Sequence, residues 1–373
     1  MRAAWAALGL AVVGVAGMVT GQPHAARPVG TPSSGDLFFT TYQPATVQRA
    51  GYTYVRGALH LSVPRVVARL PGADGAVFSP DGHLLVGGTD SGTVQVVDVA
   101  SGAVSPVPVG APASFMLATD ASGRTLYTSG LPGQLATVPL NPLGPGRRVP
   151  ITGDDVSLTG VAFAPGGTAL YTSSGPDGRG NIGLLDLAHG RTTRLLTRVA
   201  AAHGIIYDPF TDSFLTDGGD EVLQLPARDP GHIASELTVP GTRLDQGTVD
   251  GHGRVFLASN DGRMVFVDYS STRRVGDLSN RTVVQPLVAN LDDVAPLVGP
   301  GAPPAPATTP WWGTAGLGAL AGALILVLWP AFSAVRAVRA RRRQSLPKWD
   351  VRRQAGAADG VRPGRTRPLV RSR

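Results

Sequence analysis

The sequence predicts an all-β fold: a β-propeller of six four-stranded blades, closed by pairing its N- and C-terminal segments, followed by one C-terminal transmembrane helix. Three observations predict it. The chain carries 49 Gly and 32 Pro but only two Glu, Glu221 and Glu236, a composition rich in turn formers and poor in helix formers. A unit of four short apolar runs joined by Gly/Asp/Asn turns recurs along its middle. Finally, LDDVAPL at residues 291–297 matches the first run of that unit, although three further runs do not follow it.

Residues 1–26 open with Arg2 and a short apolar core, AAWAALGLAVVGVAG, the pattern of a secretory signal peptide. A linker at 27–35 leads to the repeats. GAVFSPDGHLLVGGTDSGTVQVVDVASGAV (75–104) shows the plan, and its period-two alternation of apolar residues marks half-buried strands. Copies follow at 114–140, 160–192, 204–225 and 246–270. Their first strands centre near Val77, Leu117, Ala162, Ile206 and Val249, spacings of 40, 45, 44 and 43 residues. A four-stranded repeat of roughly 40–50 residues is a propeller blade. DLFFTTY (36–42), GALHLSV (57–63) and RVVARL (65–70) then read as the second, third and fourth strands of a blade without a first. LDDVAPL supplies that first strand, so the ring closes with no open edge between first and last blades. The propeller therefore spans 36–299, with six blades, or seven if 40–66 holds a further half-blade.

After the ring, 300–310 is a Pro-rich spacer that extends as a stiff arm. Residues 311–335 run 25 positions without a charge, long enough to cross about 30 Å of hydrocarbon. Trp311 and Trp312 sit at one end and Trp329 near the other, where aromatic belts lie. Arg336, Arg339, Arg341, Arg342 and Arg343 follow directly, which places the C-terminus in the cytoplasm and the propeller outside. The tail, 336–373, holds 13 basic against two acidic residues and few apolar ones, so it is expected to be disordered and to lie on anionic lipid headgroups. The chain's net charge of +7 belongs to this tail; the remainder is acidic, which excludes a nucleic-acid footprint on the folded part. With no cysteine, disulfides, zinc-thiolate sites and cysteine nucleophiles are excluded. The Ala, Gly, Arg and Pro bias with almost no Lys points to a high-GC bacterium.

At residue level, VFSPDGHLLVGGTDSGTVQVVDVASGAV resembles WD40 and the related YVTN-type surface repeats of bacteria. The WD dipeptide is replaced by Val97-Asp98, Leu185-Asp186 and Val267-Asp268. The resemblance covers about 36–299 and implies a propeller, with little to say about chemistry.

The residue before each first strand should stand at one mouth of the central channel. These are Asp74, Ser114, Thr159, His203 and Asp245, with Asn290 to Asp293 from the closing strand. The turns between second and third strands, with Asp90, Asp177, Asn181, Asp217, Asp220, Asn260 and Asp261, face the same way. Asp and Asn are also what tight turns use in any case, because they tolerate the left-handed conformation and bond their own backbone. The binding candidates are thus Asp74, His203, Asp245, Asp292 and Asp293. No cofactor signature is present; a Ca²⁺ or Mg²⁺ ion is the one group these residue types would take, with Asp245, Asp292 and His203 as its ligands. Six-bladed propellers of the gluconolactonase and streptogramin-lyase type hold a divalent metal in this mouth. The likeness to them is of architecture alone: the mouth has no glutamate and none of their blade motifs, so no catalytic residue carries over. The sequence contains no G-x-S-x-G, HExxH, EF-hand or P-loop in a supporting context.

Two functions fit. The first is a membrane-anchored, single-pass cell-surface module that binds a protein or glycan without catalysis. The second is a metal-dependent lactonase, hydrolase or lyase at the channel mouth.

Overall fold

A computed structural model describes residues 33–88, 92–110, 115–129, 132–175, 177–299 and 302. The signal peptide, the transmembrane span with its Trp and Arg anchors, and the basic tail lie outside the described residues, as do Asp90 and Ser114. Among the described residues no helix is long and apolar enough to cross a membrane.

All regular structure described is strand, arranged in six antiparallel sheets that follow one another around a ring. Blades II to VI begin with innermost strands at Ala76–Phe78, Leu117–Thr119, Gly160–Phe163, Gly204–Asp208 and Leu244–Val249. Each is followed outward by three more strands in chain order. Blade IV adds a two-residue edge, Thr152–Gly153, paired parallel to its outer strand.

Blade I is composite. Its innermost strand is Leu291–Val294, which pairs antiparallel with Ser33–Tyr42, placing Thr41 opposite Leu291 and Phe39 opposite Val294. The Ala295 N–H donates to the Phe38 carbonyl at 2.8 Å and the Asp293 N–H to Thr40 Oγ1 at 3.1 Å. The closure expected from LDDVAPL is therefore present, but two details of the blade differ from the sequence expectation. Its second strand starts at Ser33 rather than Asp36. Its third strand is Ala45–Val55, with Ala58–Leu61 folded back on its far half and Arg65–Arg69 on its near half. Polar Gln48 and Arg49 hide the alternation of Ala45–Val55, yet Val47, Ala50, Tyr52 and Tyr54 are all buried. Gln48 is accommodated because its amide donates to Thr46 Oγ1 at 3.1 Å.

The composite blade packs on both neighbours, which is what makes the ring continuous. Phe38 meets Phe78 of blade II edge-on at 5.5 Å between ring centres. On the other side Tyr52 and Tyr54 lie 4.9 Å from Phe256 and Phe266 of blade VI. Offset and edge-on aromatic pairs of this kind contribute about 0.5–1.5 kcal/mol each beyond area burial. The core is divided into six such clusters, one between each pair of blades, all built from residues 37–295. The closing strand thus gives blade I its innermost strand, and a buried cluster lies between every two neighbouring blades.

The dipeptide that replaces WD has a visible task. Asp98, Asp186 and Asp268 each accept a backbone N–H two residues ahead, from Ala100 at 2.8 Å, Ala188 at 3.0 Å and Ser270 at 3.1 Å. These Asx turns carry the chain from the third strand to the fourth.

Candidate functional site

All six innermost strands run in one direction, so their first residues gather at one end of the channel. Small residues there make the approach close. A Cβ on Gly75 would lie 2.6 Å from the Phe115 carbonyl oxygen, and one on Gly204 would lie 2.4 Å from the Asp245 carbonyl oxygen. Asp74-Gly75 and His203-Gly204 therefore place a polar side chain at the mouth and let the next residue pass against the neighbouring strand.

The result is a cavity of about 270 Å³ lined by Asp74, Thr159, His203, Asp245, Gln246, Asp292 and Asp293, with Phe115, Met116 and Leu158 on its wall. All five candidates from the sequence are brought together here. Thr159 is also present, but its hydroxyl is spent on Thr172 Oγ1 and the His203 carbonyl, both at 3.2 Å. Asn290 serves the closure instead: its φ is 59°, its carbonyl accepts from the Tyr42 N–H at 3.2 Å, and its amide donates to the Gln43 carbonyl.

The turn residues divide. Asp177 accepts the Arg179 N–H and pairs with Arg198 at 2.9 Å, and Asp261 pairs with Arg263. Asn181 donates to Asp155, which also accepts from Tyr171 and Arg194, all within 3.0 Å, and so belongs to blade IV's own scaffold. Asp217 is different. Paired opposite Gly204, it is fully buried beside His203 and Asp245, a fifth carboxyl at the mouth. Nothing in the tract TDGGD distinguishes it from a turn aspartate until the strand register is known.

His203 Nε2 lies 2.6 Å from Asp245 Oδ1. On its other side His203 Nδ1 is 3.3 Å from the hydroxyl of Ser174, a residue the sequence did not single out. Although protein surrounds His203 on most sides, 43% of its side-chain surface stays accessible because it faces the cavity. Burial works against the imidazolium, but the hydrogen bond and charge of Asp245, with the fields of Asp217 and Asp74, outweigh it and push the His203 pKa up to about 9. Burial also opposes the charge of Asp245, yet His203, Asn260 and Asp292 hold that carboxyl below its usual range. The other carboxyls are driven the opposite way by burial and then by one another: Asp74 up to about 6, Asp292 up to about 9, and Asp217 and Asp293 well above the normal value. The mouth therefore holds one ion pair, His203–Asp245, and four carboxyls that lack enough positive charge around them.

Side-chain oxygens of three of these, Asp217 Oδ1, Asp292 Oδ2 and Asp293 Oδ2, are buried without a hydrogen-bond partner. An orphaned buried oxygen costs on the order of 1–3 kcal/mol, so such a set is kept against stability. Among the described residues no three His, Asp or Glu side chains are grouped as one metal ion would need. Asp245, Asp292 and His203, the ligands expected from the sequence, share the cavity without forming such a group.

At the opposite end of the channel the lining changes. A second cavity of about 310 Å³ is walled by Phe78, Leu117, Phe163, Ile206, Tyr207 and Val298, with Thr119 and Asp120 at its edge.

Comparison with known proteins adds to the fold only. No family model matches the chain, and no curated protein does. Among solved structures, a chain of a nidogen/laminin complex aligns with a TM-score of 0.55 at 14% identity, covering 70% of this chain and 97% of that one. A streptogramin B lyase aligns at 0.45 and 14% identity, covering 68% and 74%, and virginiamycin B lyase from Staphylococcus aureus at 0.46 and 11% identity, covering 69% and 89%. The chain is a six-bladed β-propeller. At these identities the likeness extends to that architecture and no further.

Proposed function

We propose that the chain is a membrane-tethered, extracytoplasmic binding module without catalytic activity, and that its acidic channel mouth takes a positively charged group of its ligand. The tether is supported by the 25-residue uncharged run at 311–335 and the arginines after it. The binding role is supported chiefly by one observation, the partnerless buried oxygens of Asp292 and Asp293 in a cavity with a single cationic side chain. A ligand cation would donate to those oxygens and, by placing positive charge beside them, favour release of the protons that crowding holds on the carboxyls. The carboxyls are spread around the cavity rather than grouped about one point, which suits an ammonium or guanidinium better than a bare metal ion.

A second reading, a hydrolase or lyase, is favoured by one arrangement: Ser174, His203 and Asp245 stand in the order of a nucleophile, base and orienting acid. The electrostatics count against it. With its pKa at about 9, His203 already carries the proton that a general base would have to accept at neutral pH.

A thermal-shift series at pH 7 separates the readings, using ethylamine, methylguanidine, CaCl₂ and MgCl₂. A melting point that rises with the organic cations and is insensitive to them in Asp292→Asn/Asp293→Asn supports the module. A rise with Ca²⁺ or Mg²⁺ alone would restore the metal site, and no rise with any of them would remove the mouth as a cation site.

A further inference from the structure

The acidic and apolar cavities lie at opposite ends of the innermost strands and share one lining residue. The innermost strands run from the first to the second, and Gln246 lines both. Asp293 on the closing strand borders the acidic end and Pro296, two residues past that strand, the apolar end, three residues or roughly 10 Å apart for extended chain. The two ends make opposite demands on an occupant. The first presents buried carboxyl oxygens without a hydrogen-bond partner, which a charged N–H donor satisfies more strongly than a hydroxyl does. The second presents Phe78, Leu117, Phe163, Ile206 and Tyr207, with a few polar groups such as Thr119, Asp120 and Gln246 among them, as ligand pockets commonly do. Its wall is completed by the segment that leaves the closing strand, where the Leu297 N–H donates to Thr248 Oγ1 at 2.7 Å and Val298 packs at Gly251.

We infer that the channel binds a small amphipathic cation, with its ammonium or guanidinium group among Asp292, Asp293 and Asp74 and its apolar body extended past Gln246 toward Phe163 and Ile206. This rests on the proposed cation site and adds the ligand's size and shape: one positive group joined to an apolar chain or ring long enough to span roughly 10 Å. Neither end alone sets the class. A short amine leaves the apolar end to water, and a neutral chain brings the carboxyl oxygens no charged donor.

Calorimetric titration of the propeller, residues 33–302, at pH 7 tests this with three probes: octylamine, ethylamine and 1-octanol. Octylamine is expected to bind about 100-fold tighter than ethylamine, a discounted share of what burying six extra methylenes contributes. It should also bind at least about tenfold tighter than 1-octanol, the typical value of a hydrogen bond to a charged group. Asp292→Asn/Asp293→Asn should lower octylamine to the level of 1-octanol while leaving 1-octanol unchanged. Ile206→Thr should weaken octylamine and leave ethylamine unchanged. Octylamine no tighter than ethylamine, with ethylamine still binding, would overturn the amphipathic ligand and leave the cation site intact. Binding of neither amine would overturn the cation site itself. Equal affinity for octylamine and 1-octanol would show an apolar pocket indifferent to charge and would also overturn the inference. Circular dichroism establishes that each variant is folded, and Asp292→Asn alone replaces the double variant if that one is not.

Discussion

Replacing Asp292 by Asn isolates what the crowded carboxyls do to stability. In the folded protein the Asp292 pKa stands at about 9, and the unfolded chain returns it to the ordinary aspartate value of 3.8. Between those values the native state holds a proton that the unfolded state has released. Stability due to this group is therefore fully present below about pH 4 and is lost as pH rises toward 9. The slope is at most about 1.4 kcal/mol per pH unit for one group, or about 3 kcal/mol between pH 5 and 7.5. Asp74 adds a loss of the same sign up to about pH 6, and His203, raised from 6.5 to about 9, adds another between those values. The wild-type melting temperature should thus fall as pH rises from 5 to 8. In Asp292→Asn the amide can still donate to Asp245, as the protonated carboxyl does, while the titration is gone. The variant should be the more stable by about 1–3 kcal/mol at pH 7.5, or about 3–10 °C in melting temperature, and should match wild type near pH 4. Thermal unfolding followed by circular dichroism at half-unit pH steps reads this directly. Parallel curves for the two proteins, or a wild-type stability that climbs from pH 5 to 8, would refute the electrostatic account of the mouth.

Other outcomes follow from the same structure. Val294→Asp places an unpaired charge at a fully buried position of the closing strand and should cost at least about 3 kcal/mol, read by denaturant unfolding; Val294→Ile should remain near wild type. Gly204→Ala forces a Cβ against the Asp245 carbonyl and the Asp217 carboxyl, and should lower stability by about 2–4 kcal/mol and weaken amine binding with it. Ser174 should resist a fluorophosphonate probe at pH 7, as judged by intact mass. Labelling that disappears in Ser174→Ala would transfer support to the hydrolase reading. Membrane fractionation should place the full chain in the pellet and a version ending at residue 302 in the soluble fraction; recovery of both as soluble would remove the tether.

The repeat was legible because propeller blades announce themselves twice, by spacing and by turn chemistry. The tracts SPDG and DASG set the turn after the first strands of blades II and III, and Gly82 and Gly123 occupy the left-handed positions those turns require, at φ 85° and 68°. LDDVAPL stood out because it repeated the first-strand pattern with no blade behind it. What the sequence concealed was register. Ala45–Val55 does not read as a strand because Gln48 and Arg49 break its alternation, and only pairing with Ser33–Tyr42 shows which residues point inward. In the mouth, a position at the start of a first strand, just before it for Asp74 and His203 and within its first residues for Asp245, Asp292 and Asp293, was enough to select all five. Asp217 and Ser174 belong to a second strand, and they come to His203 only through the cross-strand pairing of blade V and the curvature of blade IV beside it. Gln246, which links the two cavities, carries no sequence signal that separates it from any other strand glutamine.

The central claim is that the acidic mouth exists to hold a positive group, and calorimetric titration of the propeller with ethylammonium chloride at pH 7 tests it most directly. The account predicts a saturable isotherm with one site, weakened at least about tenfold in Asp292→Asn/Asp293→Asn. A flat isotherm, or one that the double variant leaves unchanged, would contradict it.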